Sequence, residues 1–285
     1  MRSLDALPTL GIGISTSLSV TVPDVSRLLR DERELVQFVE LAIDHREAET
    51  LAARLAPELA AGTRFVAHPI ELSLDPTEPP SPRSLLALRR IVETLRAPWT
   101  PQDIGTWVWN GEHLGGGFIP CALTRETLDV ACERVRAIQD ATGVPFLVEN
   151  PPFADVAGEL TLGAFFRELC ERAETGMLLD VGHLLSYQLA RPEDRALLEE
   201  LPLELVIEAH IAGGAWIETA DGPVFWDNHA AEIAPESRAL LSALWPRLPR
   251  LRALCFECEL RGDDNVVREL SSLRLQYEFP AAGRA

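Results

Sequence analysis

The residues of this chain that could do chemistry fall in short motifs of similar build. In "GMLLDVGHLLS", residues 176–186, an apolar run ends on Asp180, and His183 follows three residues later. "FVAHP" carries His68, "NGEHL" His113, "LVENPP" Glu149 and Asn150, "IEAHIAGG" His210, "FWDNHAAEI" Asp227 and His229, and "LCFECEL" Glu257. Taken singly, each fits a strand-end cap or a surface histidine. Taken together, they form a set of imidazoles and carboxylates without thiolate, which suits iron, manganese or zinc and leans towards the harder ions. Almost no Lys or Arg accompanies these motifs. Acids buried together need a counter-charge, and more than one divalent cation is the expected source.

"CFEC" has the C-x-x-C spacing of zinc and redox motifs. On a strand, however, side chains alternate between faces, so Cys255 and Cys258 point opposite ways and read as packing residues. Glu257 shares a face with Cys255 and Glu259, the face expected to look inward. His45, in "AIDHREAE", opens a charged segment and reads as a surface residue or a substrate contact. Glu40, His45 and Asn150 are the candidates for lining a substrate cavity.

Elements that position these motifs follow from hydrophobic periodicity. The runs "TLGIGIS", "LVQFVELAI", "TRFVAHPI", "IGTWVWNGEHL", "PFLVENPP", "TGMLLDVGH", "LELVIEAHIAG" and "LRALCFECEL" read as strands. Amphipathic segments alternate with them. Thr124 is placed to cap a helix that stops before Gly143, and Pro235 with Glu236 opens another that runs to about Leu244. Repeated βα units with doubly buried strands predict a parallel sheet, here closed as one (β/α)8 TIM-like barrel over residues 1–285. The candidate ligands cluster at strand C-terminal ends, where such barrels carry their active sites. The Pro-rich "DPTEPPSP" reads as a rim loop.

Composition narrows the partners. The chain has 285 residues and a net charge of −18, with 47% hydrophobic and 25% charged residues. That charge argues against a surface that neutralises nucleic acid or anionic lipid. The scattered cysteines Cys121, Cys132, Cys170, Cys255 and Cys258 fit a reducing cytoplasm better than a disulfide framework. No segment is apolar for long enough to span a bilayer, so a soluble cytoplasmic protein is expected.

The ordered set "FVELAIDH", "AHPIELSLD", "NGEHL", "LVENPP", "LLDVGH", "EAHIAGG", "DNH" and "CFECE" resembles the multinuclear non-haem iron-dependent oxidative enzymes, which include peptide-modifying enzymes of the methanobactin pathway. The resemblance implies a xylose-isomerase-like TIM barrel holding two or three irons, with zinc or manganese as alternatives. It further implies that dioxygen is the co-substrate, that the reaction oxidatively rearranges side chains of a ribosomally made precursor peptide, often at cysteine, and that a small partner protein delivers the peptide. Carried onto this chain, it implies that His68 and His113 hold one metal and Glu149 bridges to a second. Asp180, His210 and Glu257 complete the second, and His183, Asp227 and His229 hold a third. Two departures stand out: "GIGISTSLS" lacks an arginine near the first strand, and "NGEHL" replaces Ser-Glu-His.

Two rivals share parts of the pattern. A trinuclear zinc phosphodiesterase of the endonuclease IV type uses a similar ligand order, with "DTCH" and "DRH" where this chain has "DVGH" and "DNH". The acidic charge opposes a DNA-facing surface. A sugar isomerase or epimerase with one divalent ion accounts for Glu149, Asp180, His210 and Glu257 but leaves His68, His113, His183 and His229 without a role.

Overall fold

Two-residue alternation along parallel strands divides the molecule into an inner and an outer apolar layer. The computed structural model describes residues 4–115, 117–152, 157–192, 194, 196–219 and 222–279. Its main strands are β1 (Gly11–Ser17), β2 (Val39–Ile43), β3 (Phe65–Pro69), β4 (Thr100–Asp103), β5 (Phe146–Glu149), β6 (Met177–Asp180), β7 (Val206–Ala212) and β8 (Ala253–Glu257). They form an eight-stranded parallel sheet in the order β3-β2-β1-β8-β7-β6-β5-β4, with helices between successive strands. The sheet curls into a nearly closed barrel. Its two end strands meet through side chains rather than a ladder: Thr100 Oγ1 donates to Ala67 O at 2.5 Å, and the Gln102 amide accepts from Leu72 N–H at 3.2 Å and donates to Leu72 O at 2.5 Å. Among the described residues no helix is long and apolar enough to cross a membrane.

Outward residues such as Ile12, Ile14, Leu41, Ile43, Val148, Leu179, Ile211 and Phe256 pack under the helices in the larger core. Inward residues Phe38, Val66, Trp99, Leu147, Leu178, Ile207, Ala253 and Cys255 fill the floor of the barrel with Leu4 and Leu10. Advancing two positions from Phe38, Val66, Leu147, Leu178 and Cys255 gives Glu40, His68, Glu149, Asp180 and Glu257, which therefore share the inward face one layer higher. A register shift between β6 and β7 makes Ile207 an extra residue, and beyond it His210 pairs in register with both Asp180 and Cys255. The bulge thus turns His210 to the interior.

Helix ends follow local chemistry. Thr124 accepts from Thr127 N–H at the start of Arg125–Thr142, and Gly143 closes that helix at φ 80°. Pro235 opens Pro235–Leu244 at its first position. Asp180 caps Val181–Ala190 by accepting from His183 N–H.

The fourth strand differs from its expected place at "IGTWVWNGEHL". It is the preceding Thr100–Asp103, and residues 108–113 form a small antiparallel hairpin, Val108–Trp109 with Glu112–His113. Asn110 and Gly111 turn it at φ 51° and 76°, the positive values that an Asn-Gly hairpin turn requires. Pro101 is tolerated because β4 is laddered on one side only, facing the seam on the other.

Gly13 of β1 faces Phe38, which is fully buried. A Cβ at Gly13 would lie 2.4 Å from the Phe38 carbonyl oxygen, 2.5 Å from the ring Cδ1 and 2.6 Å from Cε1, so that a smaller side chain at position 38 relieves only the ring part of the clash. Gly13→Ala is therefore expected to destabilise the chain by about 1–3 kcal/mol through overpacking, and Phe38→Leu in the same chain to recover part of that loss. Urea denaturation of the single and double variants measures both, and additive losses would show that the two side chains do not meet.

Candidate metal centre

Strand C-terminal ends bring the acids and imidazoles together above the apolar floor. Glu149, at the end of β5, is central and 2% exposed. Its Oε2 lies 3.7 Å from His68 Nε2, while Oε1 lies 3.5 Å from His210 Nδ1 and 4.0 Å from His183 Nδ1. His210 Nδ1 also faces Glu257 Oε1 at 3.3 Å and Asp180 Oδ2 at 4.0 Å. A third group gathers on the more open side: His183 Nε2 is 3.6 Å and His229 Nε2 3.1 Å from Asp227 Oδ2, and His229 Nε2 is 3.5 Å from Glu257 Oε2. Side-chain exposure rises from zero at Asp180 and His210 to 34% at His229, so the approach from solvent lies there.

His68, Glu149, Asp180, His183, His210, Asp227, His229 and Glu257 thus meet in one cluster. His113 does not join them as the partner of His68. It sits on the small hairpin, accepts from Gly115 N–H at 3.0 Å, and lines a separate cavity of about 220 Å³ with His45 and Glu71. Asp103 stands in its place, since a carboxylate oxygen of Asp103 can share one ion with His68 and Glu149. The displacement of β4 causes this change: with the strand ending at residue 103, the inward position at its C-terminal end is Asp103.

Of the expected cavity residues, His45 lines the separate cavity beside His113, while Asn150 and Glu40 are placed otherwise. Asn150 is fully buried, donates through Nδ2 to Asp180 O at 2.9 Å and accepts from Asp180 N–H at 3.0 Å. It braces Asp180 across the β5–β6 junction instead of lining a cavity. His45 pairs through Nδ1 and its backbone N–H with Glu71, beside an Asp44 held by Arg46. Glu40 lies below the imidazoles, with Oε1 3.1 Å from His68 Nδ1 and 3.0 Å from His210 Nε2. Sequence reading also missed Glu259, which accepts from His229 Nδ1 at 2.8 Å and from Ser15 Oγ at 2.5 Å. The alternation that placed Glu259 on the Glu257 face carried that signal. Asp180 fulfils both readings of its motif: Oδ1 accepts from His183 N–H at 2.6 Å, and Oδ2 is left to the cluster.

Electrostatics shows what the cluster lacks. Among the described residues no arginine is ion-paired to Glu40, Asp103, Glu149, Asp180, Asp227 or Glu257, and all 26 basic residues of the chain are arginine. Buried atoms without a hydrogen-bond partner include Asp103 Oδ1, Glu149 Oε2, Asp180 Oδ2, Asp227 Oδ1, Glu257 Oε2 and His210 Nδ1. Such orphans are costly unless something else satisfies them. Burial, reinforced by Asp103, lifts the Glu149 carboxyl well above its ordinary range. Burial also pushes Asp180 up to about 7, helped by Asp227 and Glu257 and opposed by His183. Burial opposes charging of His183, His210 and His229, yet the surrounding carboxylates outweigh it and raise all three well above the ordinary value. Burial likewise opposes ionisation of Glu40 and Asp227, but His210 and His68 for the first, and His183 and His229 for the second, hold both below the ordinary range. Donor type, burial and orphaned atoms therefore fit divalent cations, with Glu149 presenting an oxygen to either side. A surface groove of about 750 Å³, lined by Val36, Gln37, Thr63 and Arg64 ahead of β2 and β3, contains none of these residues.

The family model described as "RiPP precursor modification enzyme MbnB/TglH/ChrH" matches residues 11–274. The UPF0276 protein of Streptomyces avermitilis is 32% identical across 98% of this chain and 57% of its own length. The UPF0276 protein VV3194 of Vibrio vulnificus is 29% identical across 63% of this chain and 62% of its own. The chain thus spans about three-fifths of these relatives. Among solved structures, a xylose isomerase domain protein from Planctomyces limnophilus superposes with a TM-score of 0.58 at 16% identity, covering 93% of this chain and 94% of that one. The 3-keto-D-glucoside 4-epimerase YcjR of E. coli does so with 0.53 at 14%, covering 93% and 98%. These likenesses establish a xylose-isomerase-like TIM barrel as the fold.

Two measurements follow. Asp103→Ala is expected to lower the metal bound at saturation, whereas His113→Ala and His45→Ala keep it; elemental analysis after dialysis decides, and the reverse result would restore His113 as the ligand. The second concerns pH. Asp180 keeps its proton in the folded chain to about 7 against an ordinary 3.8, so its contribution falls as pH climbs through that interval. The raised histidines hold protons that the unfolded chain loses above 6.5, so their stabilisation is likewise lost as pH rises. Glu40 and Asp227, shifted downward, act only at the acidic end. Metal-free chain should therefore show a lower urea midpoint at about pH 8 than at about pH 6, with added Zn2+ reducing the difference. A midpoint that rises with pH would contradict the charge balance described.

Proposed function

The chain belongs to the RiPP precursor modification enzyme family MbnB/TglH/ChrH, and from that premise we propose that it is a multinuclear iron enzyme that uses dioxygen to oxidise a side chain, cysteine foremost, of a ribosomally made precursor peptide. The observation that carries the reading is the buried cluster of carboxylates and imidazoles with orphaned oxygens and no paired arginine. When bound, two or three iron ions would supply oxygen activation and accept electrons from the substrate.

The protein's part is to place and shield those ions. His68, Asp103 and Glu149 would hold one; Glu149, Asp180, His210 and Glu257 a second; and His183, Asp227 and His229 a third. Glu149 would serve both of the first two, since its two oxygens face different imidazoles. Asn150 fixes the Asp180 backbone, while Asn150 O accepts from His183 Nδ1 at 2.8 Å, leaving Nε2 to face Asp227. Glu259 does the same for His229. The apolar floor keeps water out from below. The peptide enters on the His229 side, beside the hairpin of Gly214–Thr219 and Gly222–Asp227, whose second strand ends on Asp227 and whose Ile217, Val224 and Trp226 are exposed on one face. A small partner protein, or a peptide leader docked away from the ions, would set selectivity, since few arginines lie near the strand ends to form a basic substrate groove.

Chain produced in iron-rich, anaerobic conditions is expected to retain iron at two or more equivalents, and to change the mass of a peptide encoded beside it once partner protein and dioxygen are supplied. Free cysteine alone should give little product. Zinc-loaded chain that cleaves abasic DNA while leaving the neighbouring peptide unchanged would replace the oxidase with a phosphodiesterase.

A further inference from the structure

Glu40 occupies a position from which one carboxylate oxygen reaches two imidazoles. It rises from the inward face of β2 directly above Phe38 and is 2% exposed. Its Oε1 accepts from His68 Nδ1 at 3.1 Å and lies 3.0 Å from His210 Nε2, the latter a close polar contact without hydrogen-bond alignment. The opposite nitrogens turn towards the other acids: His68 Nε2 to Glu149, and His210 Nδ1 to Glu257, Glu149 and Asp180. The two rings stand 6.0 Å apart.

Resting on the metal-centre reading above, we propose that Glu40 is a shared positioning residue and not a ligand, directing His68 to bind through Nε2 and His210 through Nδ1. An imidazole offers a lone pair on one nitrogen only while the other carries hydrogen, so the acceptor on the far nitrogen selects the binding one. Here one carboxylate oxygen meets two rings, hydrogen-bonded to His68 and in close contact with His210, that would serve ions on either side of Glu149. On the Glu40 side the rings share one oxygen of Glu40, and the neighbouring buried Glu208 is engaged by Trp99 Nε1 at 2.6 Å, whereas on the far side Asp103, Glu149, Asp180 and Glu257 supply the oxygens an ion needs. Because Oε1 is shared, reorienting one ring changes the hold on the other, and the two ion positions become linked through a side chain that touches neither ion.

The test uses the full chain, anaerobic, with Co2+ as probe, in wild type, Glu40→Gln, Glu40→Ala and the ligand variant Glu149→Gln. Both Glu40 variants should reach the wild-type number of bound ions at saturation, with affinity reduced by roughly 10–100-fold in Glu40→Ala and by less in Glu40→Gln, whose amide oxygen still accepts from His68. The visible Co2+ bands should shift in both, as ring orientation alters the ligand field. Glu149→Gln should lose bound metal outright. If Glu40→Ala does not fold, Glu40→Gln alone decides. Loss of a whole ion at saturation in Glu40→Gln makes Glu40 a ligand and overturns the proposal; unchanged affinity and spectrum also overturn it. Wild-type chain that takes up no Co2+ overturns the metal centre itself, a result read before any variant is compared.

Discussion

Moving a carboxylate from water into a protein interior costs several kcal/mol unless a counter-charge accompanies it, and the upper half of this barrel encloses Asp103, Glu149, Asp180 and Glu257 with imidazoles alone for company. Three of the four imidazoles in the cluster are divided between two tasks. One nitrogen faces the carboxylates, while the other meets a fixed acceptor: Glu40 for His68, Asn150 O for His183, Glu259 for His229. The acids consequently split, some pushed to hold protons and others held ionised, because too little positive charge is available to satisfy them all. The apolar floor sharpens this competition by denying the acids water from beneath.

Much of this could be read from the residues. Seven of the strands, the caps at Thr124 and Asp180, and the cluster members His68, Glu149, Asp180, His210 and Glu257 follow from apolar runs that end on a polar residue. β4 escaped because "TPQD" has no apolar run. The β-rich segment after it, "WVWNGEHL", satisfied the strand pattern while its Asn-Gly pair imposed a hairpin instead. That misplaced strand set His113 among the candidates at the strand end, where the structure has Asp103. Glu40 was undervalued for another reason. A strand residue two positions above a buried Phe is placed inside by periodicity, but which nitrogen of which ring it meets depends on cross-barrel distances that no local pattern encodes. Asn150 was misjudged in the same way, its amide being consumed by a neighbouring strand.

The fold by itself is neutral about chemistry. Sugar epimerases and isomerases are built on the same barrel, and the layer above the floor distinguishes one such protein from another. In this chain that layer extends beyond the residues around Glu149 to His183, Asp227 and His229, drawn from a helix start and the end of the small hairpin rather than from the barrel strands. The family's peptide-directed reaction accords with a centre that opens on that side.

The join between β3 and β4 has one more implication. There the barrel is held by Thr100, Gln102 and the backbone of Ala67 and Leu72, where the other neighbours share ladders. His68 ends one lip of that gap and Asp103 the other. A cation taken between them would act as a clasp on a split ring, so that filling the centre and tightening the barrel become one event, and emptying it loosens the wall at the point where the scaffold has least of its own to hold it shut.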